Sequence, residues 1–205
     1  MFRKHTIEEV AEFEHRQDEM LKEVETLKKE LEFEPGISFE KCSSKVGSIL
    51  IYFGNRYPDY SAWDYFVEIY DKIPQEHRLK IQLLKLYTHY PIKILEFVEY
   101  LKESLLSETA DQRLVRLEEN KQALNNHINP KGCITIYRGV NVDSLNEDFA
   151  LSFTVDKERA EWFTNRFDKK GKKVITRTIP IEEVLLYTNK RSEEEVMVIP
   201  KCLRI

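Results

Sequence analysis

The apolar rhythm of this chain changes once, and that change limits the folds open to it. Up to about residue 126 bulky apolar residues recur three and four apart, the period of a helix face. Beyond the turn Asn129-Pro130-Lys131-Gly132 they alternate, the period of a strand. Helices gathered at one end and short strands at the other predict an α+β protein: an α-helical region over 1–130 and a small β-rich region over 131–205.

The helical region divides at its punctuation. Thr6 with Glu9 is a capping box opening a long helix whose stripe is Ile7, Val10, Leu21, Val24, Leu27 and Leu31. Pro35-Gly36 ends that helix. A second helix is expected from Ser38, carrying Val46, Ile49, Leu50, Tyr52 and Phe53 and ending before Gly54-Asn55. Trp63, Tyr65, Phe66, Ile69 and Tyr70 form an aromatic stripe at helical spacing within 60–73, which reads as core. Further helices are expected over 75–90, from Pro91 to about residue 106, with the proline in the first turn, and over 110–126. No sequence repeat makes these hairpins a solenoid. The region either forms an accessory module for target choice or packs its helices on the sheet that follows, because 131–205 is short for a self-sufficient mixed domain.

A chain of 205 residues can bury one core or two small ones. A net charge of -4 offers no broad basic field for nucleic acid, so a nucleic-acid partner is unsupported. Cys42, Cys133 and Cys202 have no metal-ligand spacing, and His77, His89 and His127 are scattered, so no metal is expected. The cysteines read as reduced cytosolic thiols. The N-terminus shows no signal-peptide pattern and no window is apolar enough to span a bilayer, so the expected location is cytoplasmic, with no membrane partner.

The β-rich region carries the chemistry. Residues 134–138, Ile-Thr-Ile-Tyr-Arg, form a strand with Arg138 at its end before Gly139. Residues 151–154, Leu-Ser-Phe-Thr, form a second, with Asp156 placed to cap a helix over 157–167 whose apolar face is Ala160, Trp162, Phe163 and Phe167. Residues 174–179 and 184–187 supply two more strands. Residues 191–200, Arg-Ser-Glu-Glu-Glu-Val-Met-Val-Ile-Pro, put three carboxylates at the mouth of an apolar strand. If the strand includes them, alternation sets Glu193 and Glu195 on one face and Glu194 on the other. Glu195 then enters the core, a costly place for a charge unless a partner or a ligand meets it.

An arginine, a Ser-Phe-Thr strand and a Glu-x-Glu strand in that order resemble the Arg-Ser-Glu signature of the mono-ADP-ribosyltransferases, toxin-like enzymes that use NAD. The resemblance covers residues 134–199 and points to a compact bacterial or phage type, because only a short link joins Arg138 to Ser152 where larger members place a longer segment. It implies a sheet of ADP-ribosyltransferase type that binds NAD as substrate, with no Rossmann or Walker glycine loop. It implies that Glu195 is the catalytic glutamate at the ribose 2′-hydroxyl, and that Glu193 orients or deprotonates an arginine of a target protein. Arg138 would contact NAD phosphate or ribose. Ser152 would bond the nicotinamide ribose or hold Glu195, Thr154 would brace the strand, and Gly139 would let nicotinamide approach the backbone. Tyr187 and Arg191 would lie in the target-recognition loop. The second strand lacks the histidine of the poly-ADP-ribose polymerase branch. The expected activity is transfer of ADP-ribose from NAD to arginine with release of nicotinamide; the alternatives are NAD hydrolysis and a non-catalytic binding protein of the same fold.

Overall fold

The computed structural model describes residues 6–58, 60–87, 93–166, 170–189 and 192–203. It is α+β, helices preceding an antiparallel five-stranded sheet, and divides into two compact units, 1–93 and 94–205. The division falls at Lys93, whereas the change of sequence rhythm lies near residue 130.

In the first unit α1, Ile7–Glu30, opens on the expected box: the Thr6 hydroxyl accepts from the Glu9 N–H, and the Glu9 carboxylate accepts from the Thr6 N–H. Among its described side chains Met20 and Val24 are buried, as is Leu31 at the C-cap, while Leu21 is 39% exposed, so the stripe runs one residue off the expected line at that turn; the side chains of Ile7 and Val10 lie outside the described residues. α2, Phe39–Arg56, starts on Ser38 and continues through Gly54. The expected stop came early because one glycine inside a helix costs only about 1 kcal/mol, which packing of Val46, Leu50 and Phe53 offsets. α3, Ala62–Ile69, runs into a 3-10 turn, Tyr70–Lys72, and its aromatic stripe is core as expected, with Phe53 stacked on Tyr65 at 5.1 Å. The helix expected over 75–90 is α4, Gln75–Ile81, followed by a π-helical turn, Gln82–Tyr87. His89, Pro91 and the helix start expected there lie outside the described residues. The His77 ring lies 2.7 Å from the Ile37 carbonyl, a structural contact.

The second unit begins with α5, Ile94–Leu106, and α6, Ala110–Ala123, the latter opened by a Thr109–Gln112 capping box. The strands are β1, Cys133–Val140; β2, Ser152–Thr154; β3, Lys173–Pro180; β4, Val184–Thr188; and β5, Glu195–Val198. They lie in the order β3-β1-β2-β5-β4, each neighbouring pair antiparallel. Between β2 and β3 runs α7, Lys157–Asn165. One face of the sheet is a dry layer in which Ile134, Ile136, Phe153, Ile179, Val196 and Val198 meet Leu124 from the end of α6. α6 is tied to the same layer by polar bonds. Arg116 Nη1 and Asn120 Nδ2 both donate to the Val184 carbonyl, at 2.9 and 3.1 Å, and Glu108 takes the other side of Arg116 in a two-point pair at 2.8 and 2.7 Å. Among the described residues no helix is long and apolar enough to cross a membrane.

Candidate functional site

β2 and β5 build the site between them. Their register sets Thr154 opposite Glu195 and Ser152 opposite Met197, so the Ser152 and Glu195 side chains are diagonal neighbours on one face. Ser152 Oγ donates to Glu195 Oε1 at 2.6 Å, a length typical of a hydroxyl bonded to an ionised carboxylate. Glu195 is only 8% exposed, so the bond orients the carboxyl within a largely desolvated setting. Ser152 and Glu195 therefore meet, forty-three residues apart in the chain.

Arg138 reaches the pair through the main chain. The even positions of β1 face the dry layer, with Ile134 and Ile136 buried, and Arg138 continues that row. Its guanidinium lies 5.9 Å from the centroid of the buried Phe153 ring, and Nη1 donates to the Ser152 carbonyl at 3.2 Å. Arg138 thus fixes the backbone of the residue that orients Glu195. Arg177 on β3, which the sequence reading did not single out, lies in the same row opposite Ile136, 5.0 Å from the same ring. Its signal was the period-2 position in β3; an arginine in an alternating strand reads as solvent-facing until the register is known.

The segment before Glu195 departs from expectation. β5 begins at Glu195, and both Ser192 (φ 53°) and Glu194 (φ 46°) are left-handed, so the alternation that was to pair Glu193 with Glu195 on one strand face does not extend to Glu193. Two left-handed residues without glycine carry backbone strain, and neighbouring bonds hold them. The carbonyls of Ser192, Glu193 and Glu194 accept in turn from Arg159 Nη2 at 2.9 Å, Thr154 Oγ1 at 2.8 Å and the Val155 N–H at 3.3 Å. On the opposite flank, Asn189 accepts from the Ser192 N–H with its carbonyl and from the Glu194 N–H with its side chain. Thr154 braces more than its strand, because its hydroxyl also accepts from the Asp156 N–H at 3.0 Å. Asp156 caps α7 as expected, its carboxylate accepting from the Glu158 and Arg159 N–H groups.

Two expected site residues have other settings. A Cβ at Gly139 would stand 2.2 Å from the Ala160 carbonyl and 2.5 Å from Thr164 Oγ1. The space above Gly139 is therefore filled by α7, and the expected approach of nicotinamide to that glycine is replaced by helix packing. Tyr187 belongs to β4 rather than to the recognition loop; it pairs with Val196 and packs against the dry layer. Burial, and then the Glu194 carboxylate, raise its hydroxyl pKa above the ordinary value. Arg191 and Phe167 lie outside the described residues.

Among the described residues no group of three or more His, Cys, Asp or Glu side chains is placed to hold a metal ion. No family model, no curated protein and no solved structure matches the chain.

Proposed function

We propose that the protein is an NAD-dependent mono-ADP-ribosyltransferase acting on a guanidine group, with Glu195 as its catalytic carboxylate. The observation that carries this reading is the 2.6 Å bond from Ser152 to a nearly buried Glu195 at the first position of β5. A desolvated carboxylate held in one orientation is what an oxocarbenium-like transition state requires.

The bond from ribose C1′ to the nicotinamide nitrogen breaks, and its electron pair leaves with neutral nicotinamide. Positive charge develops on C1′ and the ring oxygen, where the Glu195 carboxylate stabilises it. A guanidine nitrogen of the acceptor then forms the new bond to C1′ and passes its proton to Glu193 or to water. Arg138 lies on the sheet face opposite Ser152 and Glu195, so in this reading its expected contact with NAD gives way to a supporting role, holding the Ser152 carbonyl from behind. α7 occupies the space over Gly139, so donor binding in this reading rests on the residues that β2 and β5 present on the Glu195 face.

A second reading, hydrolysis with water as acceptor, gains support from one feature: Glu193 lies outside β5, so strand register does not set it beside Glu195. Both readings are tested by incubating the protein with labelled NAD, agmatine as a small guanidine acceptor and a bacterial lysate, beside Glu195→Gln. Transfer predicts nicotinamide release with label on agmatine or on a protein band. Release without label favours hydrolysis. Glu195→Gln is expected to lower release by roughly two to four orders of magnitude. A loss under about tenfold removes Glu195 from the chemistry, and no release by the wild type leaves a binding protein.

A further inference from the structure

We infer that Arg159 is a positioning residue that sets the acceptor side of the site, holding Glu193 for the guanidine while leaving cleavage of the donor to the Ser152–Glu195 pair; the inference rests on the transferase reading. The two halves of the site are built from separate contacts. Glu195 is oriented by the Ser152 hydroxyl, and Ser152 is fixed by Arg138. The hydrogen bonds at the turn bearing Glu193 come from elsewhere: the three consecutive carbonyls at 192–194 are met by Arg159, Thr154 and Val155, and Asn189 closes the other flank.

Among the three carbonyl donors only Arg159 is a long side chain reaching in from α7. Its root is fixed, because its own N–H donates to the capping carboxylate of Asp156 at 3.1 Å. Its head is steadied on a second side, lying 5.8 Å from the ring centroid of Trp162, one turn further along the helix. Trp162 is 49% exposed, and Arg166 lies 5.3 Å from the same ring on the next turn. A large indole left half in water is costly as core but serves as a plate that keeps a guanidinium aimed at one carbonyl. The sequence assigned Trp162 to the core face; the stack on Arg159 gives its exposure a use.

The left-handed geometry of Ser192 and Glu194 persists only where surrounding bonds over-determine it. Removing the Arg159 bond releases the first carbonyl of the turn and lets Glu193 move, while the Ser152–Glu195 bond stays in place. Misplacing one reacting group by about 1 Å costs on the order of a hundredfold in its step. The loss should therefore fall on transfer to the guanidine, with water taking over as acceptor.

The experiment measures nicotinamide release, ADP-ribosyl-agmatine and free ADP-ribose for the wild type, Arg159→Ala and Arg159→Lys, with hydrogen exchange at the 192–195 amides. Arg159→Ala is expected to keep nicotinamide release within about threefold, to lower transfer to agmatine by about tenfold or more, mainly as a change in kcat, and to speed exchange at 192–195. Arg159→Lys, which keeps a cationic donor, should restore part of the transfer. An unchanged ratio of transfer to hydrolysis, or a parallel fall in both, overturns the inference. If wild type and Glu195→Gln release nicotinamide alike, it is the transferase reading that fails; exchange at 192–195 then decides alone, and unchanged exchange in Arg159→Ala overturns the positioning role as well.

Discussion

A carboxylate at 8% exposure has lost most of its water, and hydrogen-bond donors must replace it. Ser152 is such a donor, and a hydrogen bond to a charged group is worth about 1.5–3 kcal/mol. Ser152→Ala is accordingly expected to cost roughly one to two orders of magnitude in nicotinamide release, less than Glu195→Gln, in single-turnover assays on folded protein. Gly139 yields a prediction of a different kind. An alanine there meets the Ala160 carbonyl and the Thr164 backbone, atoms that cannot swing aside, so α7 must shift. Gly139→Ala should destabilise the protein by about 1–3 kcal/mol in urea unfolding; an unchanged midpoint would remove the packing account and restore the glycine to the donor site. Glu195 stood out in the sequence as a carboxylate entering an apolar strand, and Ser152 and Thr154 through the family resemblance; the strand register, which no local pattern gives, sets the three on one face. Arg159 and Asn189 were not legible: their partners are main-chain carbonyls and amides of a turn whose left-handed residues, a serine and a glutamate, carry no glycine signal.

At the scale of elements, α7 links β1 to the turn before β5. It packs on β1 through the bare face of Gly139, starts on the Asp156 cap and sends Arg159 to the turn before β5. Asp156→Ala removes the acceptor for two N–H groups and should cost about 1 kcal/mol of stability. It should also shift acceptor use in the direction of Arg159→Ala, since the root of Arg159 loosens; thermal melts and the transfer-to-hydrolysis ratio measured together check both parts. Local signals made most elements readable. Thr6 with Glu9 and Asp156 announced helix starts, and the five strands fall close to the alternating runs at 134–138, 151–154, 174–179, 184–187 and the glutamate segment. Strand order was not readable, because placing β2 between β1 and β5 depends on pairings across forty residues, such as Thr154 with Glu195, that no local pattern encodes. The π-helical turn at Gln82–Tyr87 escaped for a related reason: its apolar spacing resembles that of an ordinary helix, and packing of Leu83 and Leu86 decides the winding.

For the whole molecule, carboxylates with lowered pKa values shape the response to acid, Glu23, Asp64 and Glu147 among them. Bonds from Tyr57 and Tyr52, then Arg56, hold Glu23 below the ordinary carboxylate value of 4.5. Lys201 does the same for Glu147. At Asp64 burial alone would raise the value, and bonds from Lys93 and Ser61 outweigh it. A depressed folded pKa contributes stability that is complete above the unfolded value and is lost as pH falls through the folded one. Unfolding midpoints should therefore be flat from neutrality to about pH 5 and decline below about pH 4.5, and Glu23→Gln should shrink that decline when urea midpoints are compared across pH.

The second unit also predicts where the chain can be cut. Its dry layer is closed by Leu124 and flanked by Leu117, both from the α6 segment, and the carbonyl of Val184 at the start of β4 receives its donors from Arg116 and Asn120. A fragment of 131–205 keeps all five strands but loses that cover, exposing an apolar sheet face and removing both donors from a backbone carbonyl. A fragment of 94–205 retains the layer, the Arg116–Glu108 pair and the Ser152–Glu195 site. The longer fragment should express as a monodisperse protein with a cooperative melt, and the shorter one should aggregate. If the strands at 131–205 fold alone, the change of rhythm at residue 130 marks a true domain boundary and α6 is an accessory. If only the longer piece folds, the sheet depends on α6, and a sequence whose apolar period changes at 130 closes its core with side chains from before the change.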